Sequence, residues 1–167
     1  SNAAERFPVF TNCINLQSKA LESCFYNQVQ DFVFANFVVP ENLKQNNFQG
    51  EIKVLFEVDI NGVFKVIYAD AAEENLIIEA KRVFAKFPKI EPATYNARPT
   101  YSKFTITISI PLKSRGELAE KALAQAKIVS NGTKKLTELD SIVYHKFTNS
   151  MFESKLNIPF SHSYYAQ

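Results

Sequence analysis

The chain has 167 residues, enough for one domain with a full core or for a compact domain of about 100 residues plus an appendage. Hydrophobic residues make up 46% and charged residues 22%, a globular composition that excludes a wholly disordered or collagen-like chain. The 19 basic and 17 acidic residues are scattered and leave a formal charge of +2, so no concentrated basic patch marks a nucleic-acid partner.

Before the first regular element, Ser1, Asn2 and Ala3 look like the scar of a removed tag, and residues 1–6 are expected to be tag remnant and disordered start. No apolar run reaches the ~18 residues needed to cross a bilayer, so no direct membrane insertion by this segment is expected. There is no signal-peptide pattern either, and any anchor would lie upstream of this sequence. The two cysteines, Cys13 and Cys24, stand eleven positions apart, one in an entry loop and one on the first turn of a helix. A bridge between them would add about 3 kcal/mol and require an oxidising compartment; two separate, reduced, buried cysteines are the alternative.

From residue 17 to residue 37, Leu21, Phe25, Val29, Phe32, Val33 and Phe37 recur at helical spacing, which predicts an amphipathic helix ended before Pro40. Residues 41–49 are polar and rich in Asn and Gln and are expected to form a loop. Gly50 then opens a two-residue period, with Ile52, Val54, Phe56, Val58 and Ile60 on one face and Glu51, Lys53, Leu55, Glu57 and Asp59 on the other. Asn61-Gly62 supplies the positive φ angles of a tight hairpin turn, and residues 63–69 form the returning strand. Residues 73–86 predict a second helix with an apolar stripe of Leu76, Ile77, Ala80, Val83, Phe84 and Phe87, stopped by Pro88. Residues 89–99, which contain Pro92, Asn96 and Pro99, read as an extended connection. From Phe104 to Leu112 the chain alternates again, Phe104, Ile106, Ile108 and Ile110 against Lys103, Thr105, Thr107 and Ser109, as a third strand does.

These elements predict an α+β fold of two layers: a three-stranded antiparallel sheet with two helices on one face, in the order α-β-β-α-β, over residues 7–112. Residues 113–167 are expected to be a mostly helical extension, with one helix over 117–129, a break at Asn131-Gly132 and a further helix over 136–152.

Catalytic signatures are missing from the pattern. The only histidines, His145 and His162, lie outside the main domain, and neither stands at metal-ligand spacing. The cysteines form no CxxC, and four glycines assemble no phosphate-cradling loop. Glu57 and Asp59 share the outward face beside a hairpin, where solvated charge is the expected role. No catalytic residue, metal ligand or cofactor is expected.

The ordered set Pro40, Gly50-Glu-Ile-Lys-Val-Leu-Phe-Glu-Val-Asp59, Asn61-Gly62-Val63, Glu79-Ala80, Arg82-Val83, Phe87-Pro88, Pro92-Ala93, Asn96-Ala-Arg-Pro99 and the strand to Leu112 resembles the C-terminal domain of TonB-type energy transducers. The entry Phe7-Pro-Val-Phe10, followed by Cys13 and Cys24, is similar to the version found in Bacteroidetes. The resemblance implies a periplasmic, non-enzymatic domain anchored to a membrane by an upstream segment. Its partner would be an outer-membrane TonB-dependent receptor or another envelope protein, bound by strand addition to transmit energy for transport. Carried onto this chain, the contact edge would be Tyr101, Ser102, Lys103, Phe104, Thr105, Ile106 and Thr107. The alternative is an envelope scaffold or homodimerising module whose sheet edge is covered by its own extension.

Overall fold

The structure, a computed structural model, describes residues 4–132 and 162–165. In chain order the elements are β1 (Glu5–Arg6), a 3-10 turn (Thr11–Cys13), α1 (Ser18–Asn36), α2 (Glu41–Gln45), β2 (Gly50–Val58), β3 (Phe64–Ala71), α3 (Glu74–Ala85), β4 (Thr94–Tyr95), β5 (Arg98–Pro99), β6 (Tyr101–Ile110), α4 (Arg115–Gly132) and β7 (His162–Tyr165). The main sheet is antiparallel with strand order β3-β2-β6-β7. The expected three strands are its first three, and the extension supplies the fourth.

The two-residue period of β2 and β6 decides which face is buried. Ile52, Val54, Phe56 and Val58 of β2 lie beside Phe104, Ile106, Ile108 and Ile110 of β6, all of them core residues. α1 and α3 cover this face, with Phe25 of α1 4.8 Å from Phe104 and Phe84 of α3 4.9 Å from Phe56, ring centroid to centroid. Phenylalanine builds much of this layer: Phe64 stacks on Phe87 at 4.2 Å and Phe32 on Phe87 at 4.1 Å. Such pairs add about 0.5–1.5 kcal/mol each beyond the apolar area they bury.

Long-range contacts then lock the two helices together. Glu79 of α3 accepts the Val38 N–H at 2.7 Å and pairs with Arg82, while Arg82 donates to the Asn36 carbonyl at 2.7 Å. The clamp satisfies backbone groups at the C-terminal end of α1, which a helix cannot satisfy by itself. The Arg82 guanidinium and the Val38 N–H hold the Glu79 carboxyl below the usual glutamate range, against the opposing effect of burial.

The cysteines form a disulfide, Cys13 to Cys24, with Cα atoms 6.0 Å apart. It ties the entry segment, whose Phe7, Val9 and Phe10 are buried in the core, to the second turn of α1 rather than the expected first. Val9 and Glu91 exchange backbone hydrogen bonds at 3.0 and 3.2 Å, fixing the entry against the connection after α3.

Several local expectations need correction. Residues 5 and 6, expected to be disordered, form β1 and pair with β4, because the Asn96 N–H also donates to the Ala4 carbonyl. The connection over residues 89–99 contains a small hairpin, β4 with β5, turned by Asn96 and Ala97 at φ values of 52° and 66°. Two positive φ angles are what a two-residue hairpin turn of the primed type requires. The expected loop over residues 41–49 opens with α2, whose Leu43 is buried.

At the β2–β3 turn only Gly62 has positive φ, +80°. The Gly62 N–H donates to the Asp59 carbonyl at 2.9 Å and the Asp59 N–H to the Val63 carbonyl at 3.0 Å, giving a three-residue loop closed by a left-handed glycine. A Cβ at Gly62 would collide with the carbonyl oxygen of Ile90, so space as well as φ demands glycine there. Asp59 is not on the solvated face: it is 5% exposed, and its Oδ1 accepts the N–H groups of Asn61 and Val63 at 2.9 and 3.0 Å. The alternation of β2 ends at Val58, and the turn swings Asp59 inward as its cap.

β6 begins at Tyr101 rather than Phe104. α4 starts two residues earlier than expected, with Ser114 and Glu117 forming a reciprocal capping box: the Glu117 N–H donates to Ser114 Oγ and the Ser114 N–H to Glu117 Oε1. It runs through Asn131 to Gly132, beyond the expected break. Arg115 meets Asp31 of α1 in a two-pronged ion pair at 2.7 and 3.0 Å, orienting α4 on α1. The helix expected over residues 136–152, and His145 within it, lie outside the described residues.

Candidate functional site

The expected contact residues all lie on β6, whose backbone runs in unbroken register with β2 from Ser102↔Val58 to Ile110↔Gly50. Pleating divides their side chains. Ser102, Phe104 and Ile106 point into the core, where Phe104 meets Phe7 at 5.8 Å and Phe56 at 5.4 Å. Tyr101, Lys103, Thr105 and Thr107 stand on the opposite face and are partly exposed. The seven residues therefore share a backbone edge, not a side-chain cluster.

That edge has two halves. Tyr101, Ser102, Lys103 and Phe104 lie opposite Tyr165, Tyr164, Ser163 and His162 of β7, antiparallel. Thr105, Ile106 and Thr107 have β2 on one side and no second strand among the described residues. His162, read from sequence as a residue without metal-ligand neighbours, is thus part of the edge-covering strand.

The other edge of the sheet is built differently. β3 pairs with β2 through a register shift between Leu55 and Phe56, so that Ile67 is an extra residue. A bulge bends a strand and breaks the flat ladder that an incoming strand would need. At the turn end of β3, Lys65 lies 3.3 Å from Asp59. Burial would raise the Asp59 carboxyl, but the N–H groups of Val63 and Asn61 and the Lys65 ammonium outweigh it and hold it below the usual aspartate range.

Among the described residues, two concave regions lie beside β6. One, about 510 Å³, lies at the far end of the strand between Phe37, Val39, Leu43, Phe48 and Pro111. The other, about 20 Å³, lies between α1 and Ile106 and Ile108 of β6, and Gln30 lines it. Gln30 is 4% exposed, and neither amide atom has a hydrogen-bond partner among the described residues. It was invisible in the helical pattern, where a glutamine between Val29 and Val33 reads as part of the polar side.

Among the described residues no group of three or more His, Cys, Asp or Glu side chains could hold a metal ion. No described helix is long and apolar enough to cross a membrane. No family model, curated protein or solved structure matches the chain.

Proposed function

We propose that this chain is a periplasmic, TonB-like protein-binding domain that pairs by strand addition with an outer-membrane receptor or another envelope protein and transmits energy for transport. The observation that carries this reading is the edge of β6: a regular ten-residue strand that takes up a strand at Tyr101 to Phe104 and has none beside Thr105 to Thr107 among the described residues. Main-chain hydrogen bonds give such an edge affinity for any extended segment of suitable register, and flanking side chains select among them. The bulge on β3 supports β6, rather than the opposite edge, as the pairing side. The Cys13–Cys24 bridge suits an oxidising compartment such as the periplasm.

The test is binding of peptides drawn from the N-terminal segments of outer-membrane receptors to the whole chain and to Thr105→Pro. Proline removes a donor and distorts the edge. Binding is expected to disappear in the variant while its circular dichroism stays native. Unchanged affinity in a folded variant excludes pairing on this edge.

A second reading is favoured by β7, which covers Tyr101 to Phe104. In it the domain is a non-enzymatic envelope scaffold or homodimerising module, and the extension closes the edge for good. The two readings separate with Ser163→Pro in the whole chain. If β7 competes with an incoming strand, weakening it raises the competent fraction and tightens peptide binding by the same factor, about ten-fold for a cap worth about 1.4 kcal/mol. If the edge serves only to hold the extension, the variant gains no peptide affinity.

A further inference from the structure

The amide of Gln30 stands out against its surroundings. Around it, Val29, Val33 and Phe34 of α1 and Ile106 and Ile108 of β6 make an apolar wall. A carboxamide has donors and an acceptor, and leaving both unpaired in such a place is costly to the folded chain. An amphipathic helix could carry its polar residues on the exposed side, yet this one is 4% exposed. The space beside it, about 20 Å³, is far below the several hundred Å³ of a small-molecule site. It has room for the end of one side chain.

The place of this pocket in the fold says what could bring that side chain. It lies between α1 and Ile106 and Ile108 of β6, just past Phe104, the last residue of β6 with a described partner in β7. A strand laid along β6 on the track β7 already uses would send alternate side chains toward α1. The one descending beside Ile106 or Ile108 would enter the pocket and meet Gln30. A carboxylate there would satisfy only the amide nitrogen, an ammonium only the oxygen, and each would bury a charge. A second carboxamide satisfies both atoms with no charge to desolvate.

We infer that Gln30 is the selectivity determinant of this edge, and that the incoming segment is an extended peptide of a partner protein carrying an Asn or Gln side chain at the position facing α1. The inference rests on the strand-addition reading and adds to it a stated preference.

A phage-displayed library of random decapeptides, panned against the whole chain and its Gln30→Met and Thr105→Pro variants, tests it. Gln30→Met keeps the length of the side chain and removes both polar atoms, and Gln30→Leu is a second variant should the first fold poorly. Binders to the unmodified chain are expected to fix Asn or Gln at one position, and those peptides to lose about ten-fold in affinity for Gln30→Met. Binders selected on Gln30→Met are expected to carry an apolar residue there. If Thr105→Pro abolishes binding but the same sequences emerge from both chains with no Asn or Gln preference, the selectivity role is overturned and strand addition stands. If no peptide binds, or binders ignore Thr105→Pro, both fall.

Discussion

The two edges of the main sheet solve the same problem in opposite ways. The β3 edge is broken by a bulge at Ile67, and at its turn end a buried, fully used aspartate locks the hairpin. The β6 edge keeps an unbroken register with β2, is covered at Tyr101 to Phe104 by a four-residue strand, and is backed by a buried glutamine with no partner among the described residues. An exposed ladder invites pairing, and proteins usually blunt it. Here one edge is blunted and the other is left in register with polar capacity to spare, which is the asymmetry expected of a sheet that accepts a strand on one side only.

The largest expected effect concerns the support of the β6 side. α1 packs on Phe104, and the Cys13–Cys24 bridge holds the second turn of that helix. The double substitution Cys13→Ala, Cys24→Ala is expected to lower unfolding free energy by about 3 kcal/mol in urea titration. A loss below about 1 kcal/mol would mean that the entry segment holds α1 without the bridge.

On the β3 side, Asp59→Ala is expected to cost about 2 kcal/mol, because two backbone N–H groups lose a charged acceptor. The same group sets a pH dependence. Its titration is lowered on folding, so its contribution is complete above the ordinary carboxylate range and is lost as pH falls through the lowered value. Thermal melts from about pH 6 down to about pH 3 should therefore show a steeper loss of stability in the unmodified chain than in Asp59→Ala. Parallel curves would remove Asp59 as the source.

The smallest effect has the opposite sign. Gln30→Met removes two buried polar atoms that have no partner among the described residues and is expected to raise stability by about 1 kcal/mol, read as a rise in Tm. A loss of stability would show that Gln30 holds the core together, and the contrast between a satisfied β3 side and an unsatisfied β6 side would collapse.

Much of the layer architecture was legible in the pattern of apolar residues. The helix expected over residues 17–37 is Ser18–Asn36, that over 73–86 is Glu74–Ala85, and the two β2 neighbours pair as the alternation predicts. Periodicity works for these because each has enough residues to show a face. β1, β4 and β5 have two residues each and therefore no period, and the turn at Asn96-Ala97 lacks the glycine that usually marks such a hairpin. Alternation also misplaced Asp59, since the pleat ends where the turn begins. β7 depends on a contact between residues about 60 positions apart in sequence, which no local pattern contains. The candidate site was legible as a stretch of backbone. The cover of β7 over Tyr101 to Phe104, and the amide of Gln30 behind the residues that follow, depend on which segment lies beside which.

Amide hydrogen exchange on the whole chain, with and without a saturating peptide from the N-terminal segment of an outer-membrane receptor, tests the strand-addition edge most directly. Slowed exchange confined to β6, within residues 101–108, with β3 unchanged is the predicted result. Protection appearing along β3, or binding that leaves β6 exchange unaltered, would contradict it.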